Sequence, residues 1–149
     1  MKQRDRVTMT PSETAAMLAS HRKVQLGTLN PDGSIHLVTM YYAMLGGEIA
    51  FWTYRASQKA LNLARDPRIT CLVEDGEAYF DLRGVQVTGS VRVASSAEGV
   101  LEIGRLIAGS MPGMPAEGVE EYVQGAARKR VGYLVQPTRI VSWDHSKLL

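Results

Sequence analysis

The order of the local patterns constrains this chain most: short extended runs joined by tight-turn signals fill most of its first ninety-four residues, and the longer helical patterns come afterwards. Val24-Gln25-Leu26-Gly27-Thr28-Leu29 runs into Asn30-Pro31-Asp32-Gly33, where proline presets φ and glycine tolerates a positive one. An extended segment over 34–45, a Gly46-Gly47 turn and a run over 48–54 predict three consecutive antiparallel strands. Residues 69–73 add a strand and Asp75-Gly76 another turn. Residues 78–94 read as one long valine-rich strand, with Gly84 and Gly89 as bends or bulges of a closing barrel. Two further strands are expected at 131–135 and 138–143.

Helices have clear start signals. Thr10-Pro11-Ser12-Glu13 is a capping box with proline at the first helical position, so a helix should run to about Ser20. Residues 57–65 form a second, with Ser57 as N-cap. From Ser96 two helical stretches flank a loop at 109–115, and Arg128-Lys129-Arg130 suits the C-terminus of the second. Strands do not alternate with helices in the first ninety residues, which argues against a doubly wound parallel sheet. The expectation is a single domain over 1–149, mainly β with a few helices, built as an antiparallel barrel of six to seven strands. A barrel this small fills its own interior, so a sizeable ligand would sit outside it, at a subunit interface.

Composition serves to exclude. Seventeen basic residues against fifteen acidic ones give a net charge of +2, too weak a field to imply nucleic acid. No apolar run approaches the ~18–20 residues of a membrane span, and the first residues lack the apolar core of a signal peptide. Cys71 is the only cysteine, which removes intramolecular disulfides and suits a cytoplasmic protein. His21, His36 and His145 lack metal-ligand spacing, so no metal is expected. There is no phosphate-binding P-loop, no dinucleotide fingerprint and no nucleophile elbow. Cys71 lies mid-strand and reads as a buried, inert thiol. Glu74, Asp75, Glu77 and Asp81 read as a solvated turn rather than paired catalytic carboxylates. Chemistry, if any, falls to a bound organic cofactor.

One constellation has the character of a site. Thr53-Tyr54-Arg55-Ala56-Ser57-Gln58-Lys59 lies where a strand gives way to a helix. Arg55 offers a planar fork for phosphate oxygens, and Lys59 a point charge one turn later. Ser57 adds a hydroxyl, and the helix start adds free N–H groups. Between residues 52 and 73 stand Arg55, Lys59, Arg65 and Arg68 against the single acid Asp66. Composition alone favours a solvated helix start with an ordinary serine cap.

The order of these residues carries a resemblance. The run Arg55-x-Ser57-x-Lys59-x-x-Asn62-Leu63-x-Arg65-Asp66-Pro67-Arg68 resembles the phosphate-binding segment of the flavin and deazaflavin oxidoreductases with a split β-barrel, the pyridoxamine-phosphate-oxidase-like superfamily. The hairpin around Asn30-Gly33 and the closing Pro137-Thr138-Arg139-Ile140-Val141-Ser142-Trp143 are similar to its first hairpin and last strand. The resemblance implies a homodimeric split barrel. It assigns Arg55, Ser57 and Lys59 to a cofactor phosphate, with Asn62 supporting their helix. Backbone groups of Val38, Thr39 and Met40 would meet the edge of the ring system, and Tyr79 would reach the cofactor from the partner subunit. Trp52, Tyr42 and Trp143 read as packing residues.

Length and the late helical insertion look most like the actinobacterial branch that uses the deazaflavin coenzyme F-420. Such an enzyme would reduce an electron-poor small molecule, such as an enone, a quinone or a tetrapyrrole. FMN is the alternative cofactor, and a non-catalytic flavin-, F-420- or haem-binding protein is the alternative of another class. The R-x-x-x-x-K segment and substrate-phosphate cluster of true pyridoxamine phosphate oxidases are not found here, which argues against vitamin B6 chemistry. No catalytic residue is assigned: Tyr79, a water or an arginine-polarised group would each serve as proton donor.

Overall fold

A computed structural model describes residues 1–94 and 96–149. Two N-terminal helices, α1 (Gln3–Val7) and α2 (Pro11–Ser20), precede the strands β1 (Lys23–Leu29), β2 (Ile35–Tyr41), β3 (Ala43–Leu45) and β4 (Glu48–Tyr54). Helix α3 (Gln58–Arg65) leads into β5 (Arg68–Asp75) and β6 (Arg83–Val93). Helices α4 (Ala97–Ser110) and α5 (Val119–Ala127) lead into β7 (Arg130–Asp144). The capping box of α2 is complete: Thr10 Oγ1 accepts from the Glu13 N–H, and the Glu13 carboxylate accepts from the Thr10 N–H.

The seven strands form one antiparallel sheet in the order β2-β1-β5-β6-β7-β4-β3. Its outermost strands, β2 and β3, are successive stretches of chain separated by Tyr42 alone. That continuity curls the sheet on itself and makes the fold a split β-barrel of the expected mainly-β class. It also corrects the reading of 34–45 as the middle of a three-stranded meander. The segment breaks at Tyr42, which is 1% exposed and donates its hydroxyl to the Leu18 carbonyl of α2. Its two halves then pair with different strands, β2 with β1 and β3 with β4.

Two more expectations change. The strand expected over 78–94 begins only at Arg83, because Tyr79–Asp81 is a 3-10 turn. The two final strands are one continuous β7, bulged opposite the Thr88/Gly89 step of β6. Gly89 is required there, since a Cβ would lie 2.1 Å from the Gln136 carbonyl oxygen. Pro137 falls inside that bulge, where a missing N–H is tolerated.

Apolar side chains occupy both faces of the sheet. Val24, Leu26, Phe51, Val73, Val85 and Val135 fill the barrel together with Met17 and Leu18 of α2. On the other face Ala50, Trp52 and Leu134 pack against Ile103, Ile107 and Val123 of α4 and α5. Gly104 lets α4 close on the Trp52 ring, because a Cβ would stand 2.4 Å from it. None of the described helices is long and apolar enough to cross a membrane.

Candidate cofactor site

Strand β4 ends at Tyr54 and α3 begins at Gln58, so the three residues between form a tight corner at one end of the barrel. Ser57 caps α3, its Oγ accepting from the Ala60 N–H at 3.2 Å. Thr53, 3% exposed, donates to the same oxygen at 3.3 Å. Lys59 reaches back along the first turn and donates from Nζ to Thr53 Oγ1 at 3.0 Å. This relay orders three side chains and leaves donors facing outward. The Ser57 hydroxyl proton and two protons of the Lys59 ammonium are unspent, and the Gln58 and Lys59 N–H groups precede the first helical bond, from Leu61 to Ser57,. A cluster of donors at a helix start matches an anion.

Lys59 is half-buried rather than fully solvated, and that burial pushes its ammonium below the ordinary lysine range. It takes part in none of the seven ion pairs among the described residues. The neighbouring cations are differently placed. Arg68 is bound to Asp66 at 2.7 Å. Arg65 donates to the Leu29 carbonyl and to Asn62 Oδ1. Arg55 turns away from Lys59, toward the junction of α5 and β7, and donates to the carbonyls of Arg128 and Arg130. The structure thus brings Ser57 and Lys59 together and places the Arg55 fork on backbone oxygens. Beside it, the Arg130 guanidinium stands 4.2 Å from the centre of the Tyr54 ring.

Asn62 is fully buried and uses its whole amide. Nδ2 donates to Thr28 Oγ1 at 3.1 Å and to Asn30 Oδ1 at 3.0 Å, and Oδ1 accepts from Gln58 Nε2 at 2.8 Å. It therefore fastens α3 to β1 and the first hairpin. Thr28 lies opposite His36 of β2 in the register, which connects this seam to the strand carrying Val38, Thr39 and Met40. Strand β2 is paired on one side only, so alternate backbone groups of those three residues have no ladder partner. His36 Nδ1 is buried without a hydrogen-bond partner. Tyr79 lies elsewhere: it is 53% exposed, its hydroxyl accepts from Gln3 at 3.0 Å, and its ring sits 4.6 Å from that of His145.

Sequence reasoning missed Thr53 and His36. Thr53 was legible only as a strand threonine, although its position six residues before Lys59 places it within reach of the first helical turn. No local pattern marks the unpartnered nitrogen of His36.

The family model for pyridoxamine 5'-phosphate oxidase matches residues 10–140, a span that contains the β4–α3 corner, β2 and Tyr79. The chain belongs to the pyridoxamine 5'-phosphate oxidase family. Among solved structures, the chain is similar to a conserved hypothetical protein, Rv2991, from Mycobacterium tuberculosis. The two share 38% identity over 99% of this chain and 92% of the other, with a TM-score of 0.91. At lower identity the fold is shared with an F-420 reductase (23% identity, 84% of this chain and 93% of the other, TM-score 0.61). It is also shared with HutZ, a haem storage protein from Vibrio cholerae (14% identity, 89% and 94% coverage, TM-score 0.65). No curated protein matches the sequence.

Proposed function

We propose that the chain is a homodimeric oxidoreductase dependent on coenzyme F-420, of the actinobacterial branch of its family, that reduces an electron-poor small molecule such as an enone, a quinone or a tetrapyrrole. The observation that carries this reading is the half-buried Lys59 ammonium, held on Thr53 without an acidic partner beside the Ser57 hydroxyl. A cation withdrawn from water without a counter-ion is costly, and an anion at the corner offsets that cost. A phosphate group fits, because the open donors of Ser57, Lys59 and the α3 start converge on one side of the helix terminus.

Bound there, the reduced cofactor supplies a hydride for an electron-poor carbon. The chain's own residues do the positioning. Ser57 and Lys59 fix the phosphate. Arg55 braces the corner against β7 and adds its remaining donors to the local positive charge. Asn62 holds α3 in register with β1. The open backbone edge of Val38, Thr39 and Met40 offers alternating N–H and carbonyl groups to a planar heterocycle. Tyr79, exposed on its 3-10 turn, would meet the cofactor of the neighbouring subunit. The exposed pair Ile35 and Leu37, each 68% accessible on one face of β2, gives that second subunit an apolar surface to cover.

Parallel titration with coenzyme F-420, FMN and haem tests the reading. Saturable binding of F-420, tighter than that of either alternative, by a species of twice 16.3 kDa is the expected result. Tighter binding of FMN, or of haem at a site insensitive to Lys59, would overturn it in favour of a flavin enzyme or a haem-binding protein.

A further inference from the structure

Thr53 is 3% exposed and lies two residues after Phe51, on the barrel side of β4,. Its hydroxyl is where the hydrogen bonds of the corner meet. A hydroxyl has one proton and two lone pairs. Thr53 Oγ1 accepts from Lys59 Nζ at 3.0 Å and gives its proton to Ser57 Oγ at 3.3 Å. Ser57 Oγ also accepts from the Ala60 N–H at 3.2 Å, so both of its lone pairs are occupied. Ser57 therefore offers a ligand only its proton.

The other open groups have the same polarity. The Lys59 ammonium and the backbone N–H groups of Gln58 and Lys59 donate and cannot accept. The Gln58 amide turns down the helix, its Nε2 donating to Asn62 Oδ1 at 2.8 Å. Asp66, the nearest acid to Lys59 along the chain, is held by Arg68 at 2.7 Å. The Arg55 guanidinium, a donor as well, turns to the α5–β7 junction. A proton on a ligand oxygen finds no acceptor on Ser57 or Lys59 and meets another proton instead. The bare oxygens of a fully ionised oxyanion satisfy these donors.

We propose that Thr53 is a positioning residue that sets specificity. By filling the acceptor sites of Ser57 it makes the corner select proton-free oxyanions, a phosphodiester or an ionised phosphomonoester, over a protonated monoester. This rests on the reading of the corner as an anion site, and its test needs no cofactor. Phenyl phosphate loses its second proton near about pH 6, whereas phenyl sulfate carries none. Titrating each into the full chain, followed through the backbone amide resonances of Gln58 and Lys59, gives the ratio of the two affinities in one buffer. In the wild type the phosphate-to-sulfate ratio should rise about 10-fold from pH 5 to pH 7, with the ionised fraction of the monoester. Thr53→Val frees a lone pair of Ser57 for the ligand's proton, and the rise should shrink to below about 3-fold. Thr53→Ser should keep the wild-type profile, and Thr53→Ala is the second variant without the hydroxyl. A purely structural role would weaken both anions alike and leave the profile intact. That result in folded Thr53→Val and Thr53→Ala, or a flat ratio in the wild type, overturns the proposal while the anion site stands. If neither anion shifts the two resonances saturably, the anion site itself is overturned and the proposal with it.

Discussion

Lys59 donates to the Thr53 hydroxyl at 3.0 Å, and this bond holds a half-buried ammonium over the start of α3 that pairs with no carboxylate among the described residues. Burial lowers its pKa from the usual lysine value of 10.5. The sign follows directly: the free protein releases this proton at a lower pH than an exposed lysine, and an anion at the corner restores it. Affinity for F-420 should therefore fall as pH rises from neutrality toward 10.5, with proton uptake on binding visible in buffers of different ionisation enthalpy. Lys59→Arg should flatten that dependence, because guanidinium stays charged throughout.

Asn62→Leu should destabilise the fold by about 2–4 kcal/mol. Its buried amide serves Thr28, Asn30 and Gln58 at once, and leucine leaves all three without that partner. The expected fall in thermal midpoint is about 5–15 °C for a chain of this size. A midpoint unchanged within error would show that α3 is not fastened through this residue.

Gly84→Ala should cost about 1–3 kcal/mol. A Cβ at this position would stand 2.1 Å from the Trp143 ring, which lies across β6. In a Trp143→Leu background the penalty should largely vanish, giving a coupling energy readable from a denaturant-unfolding cycle. Additive effects of the two substitutions would contradict the close approach.

Cys71 should be silent to thiol reagents in the folded protein. It is 1% exposed, and burial pushes its thiol up to about 12, so the reactive thiolate is scarce at pH 8. Ellman's reagent should label it only after denaturant is added. Rapid labelling of the native chain would contradict this packing.

The parts of this fold that were legible are those written in a few adjacent residues. The capping box at Thr10 and the cap at Ser57, the turns at Asn30-Gly33 and Gly46-Gly47, and the helical insertion all stand where local chemistry places them. The misreadings share a non-local cause. Residues 34–45 carry an unbroken extended pattern, and only the burial of Tyr42 against α2 divides it between the two edges of the sheet. Tyr79–Asp81 alternates like a strand, yet the His145 ring, sixty-six positions away, contacts the Tyr79 carbonyl at 2.8 Å and fixes a 3-10 turn. Pro137 looked like a strand end, and the bulge opposite Gly89 absorbs it. Gly84 was read as a bend, whereas it is a place for the Trp143 ring. At the candidate site, residue order pointed to Ser57, Lys59 and Asn62. The outward turn of Arg55 depends on carbonyls of the α5–β7 junction, seventy-three and seventy-five positions along the chain, which no local motif announces.

The central claim is that the Thr53–Lys59 corner holds the phosphate of coenzyme F-420, and titrating F-420 into the wild type and Lys59→Ala tests it most directly. A charge-assisted contact contributes roughly 1.5–3 kcal/mol. The variant should therefore bind about 10- to 150-fold more weakly while unfolding at a similar midpoint, since alanine is the best helix former. Its affinity should also decline less steeply with salt, with one cation fewer to screen. Wild-type affinity and an unchanged salt dependence in a folded Lys59→Ala protein would contradict the account.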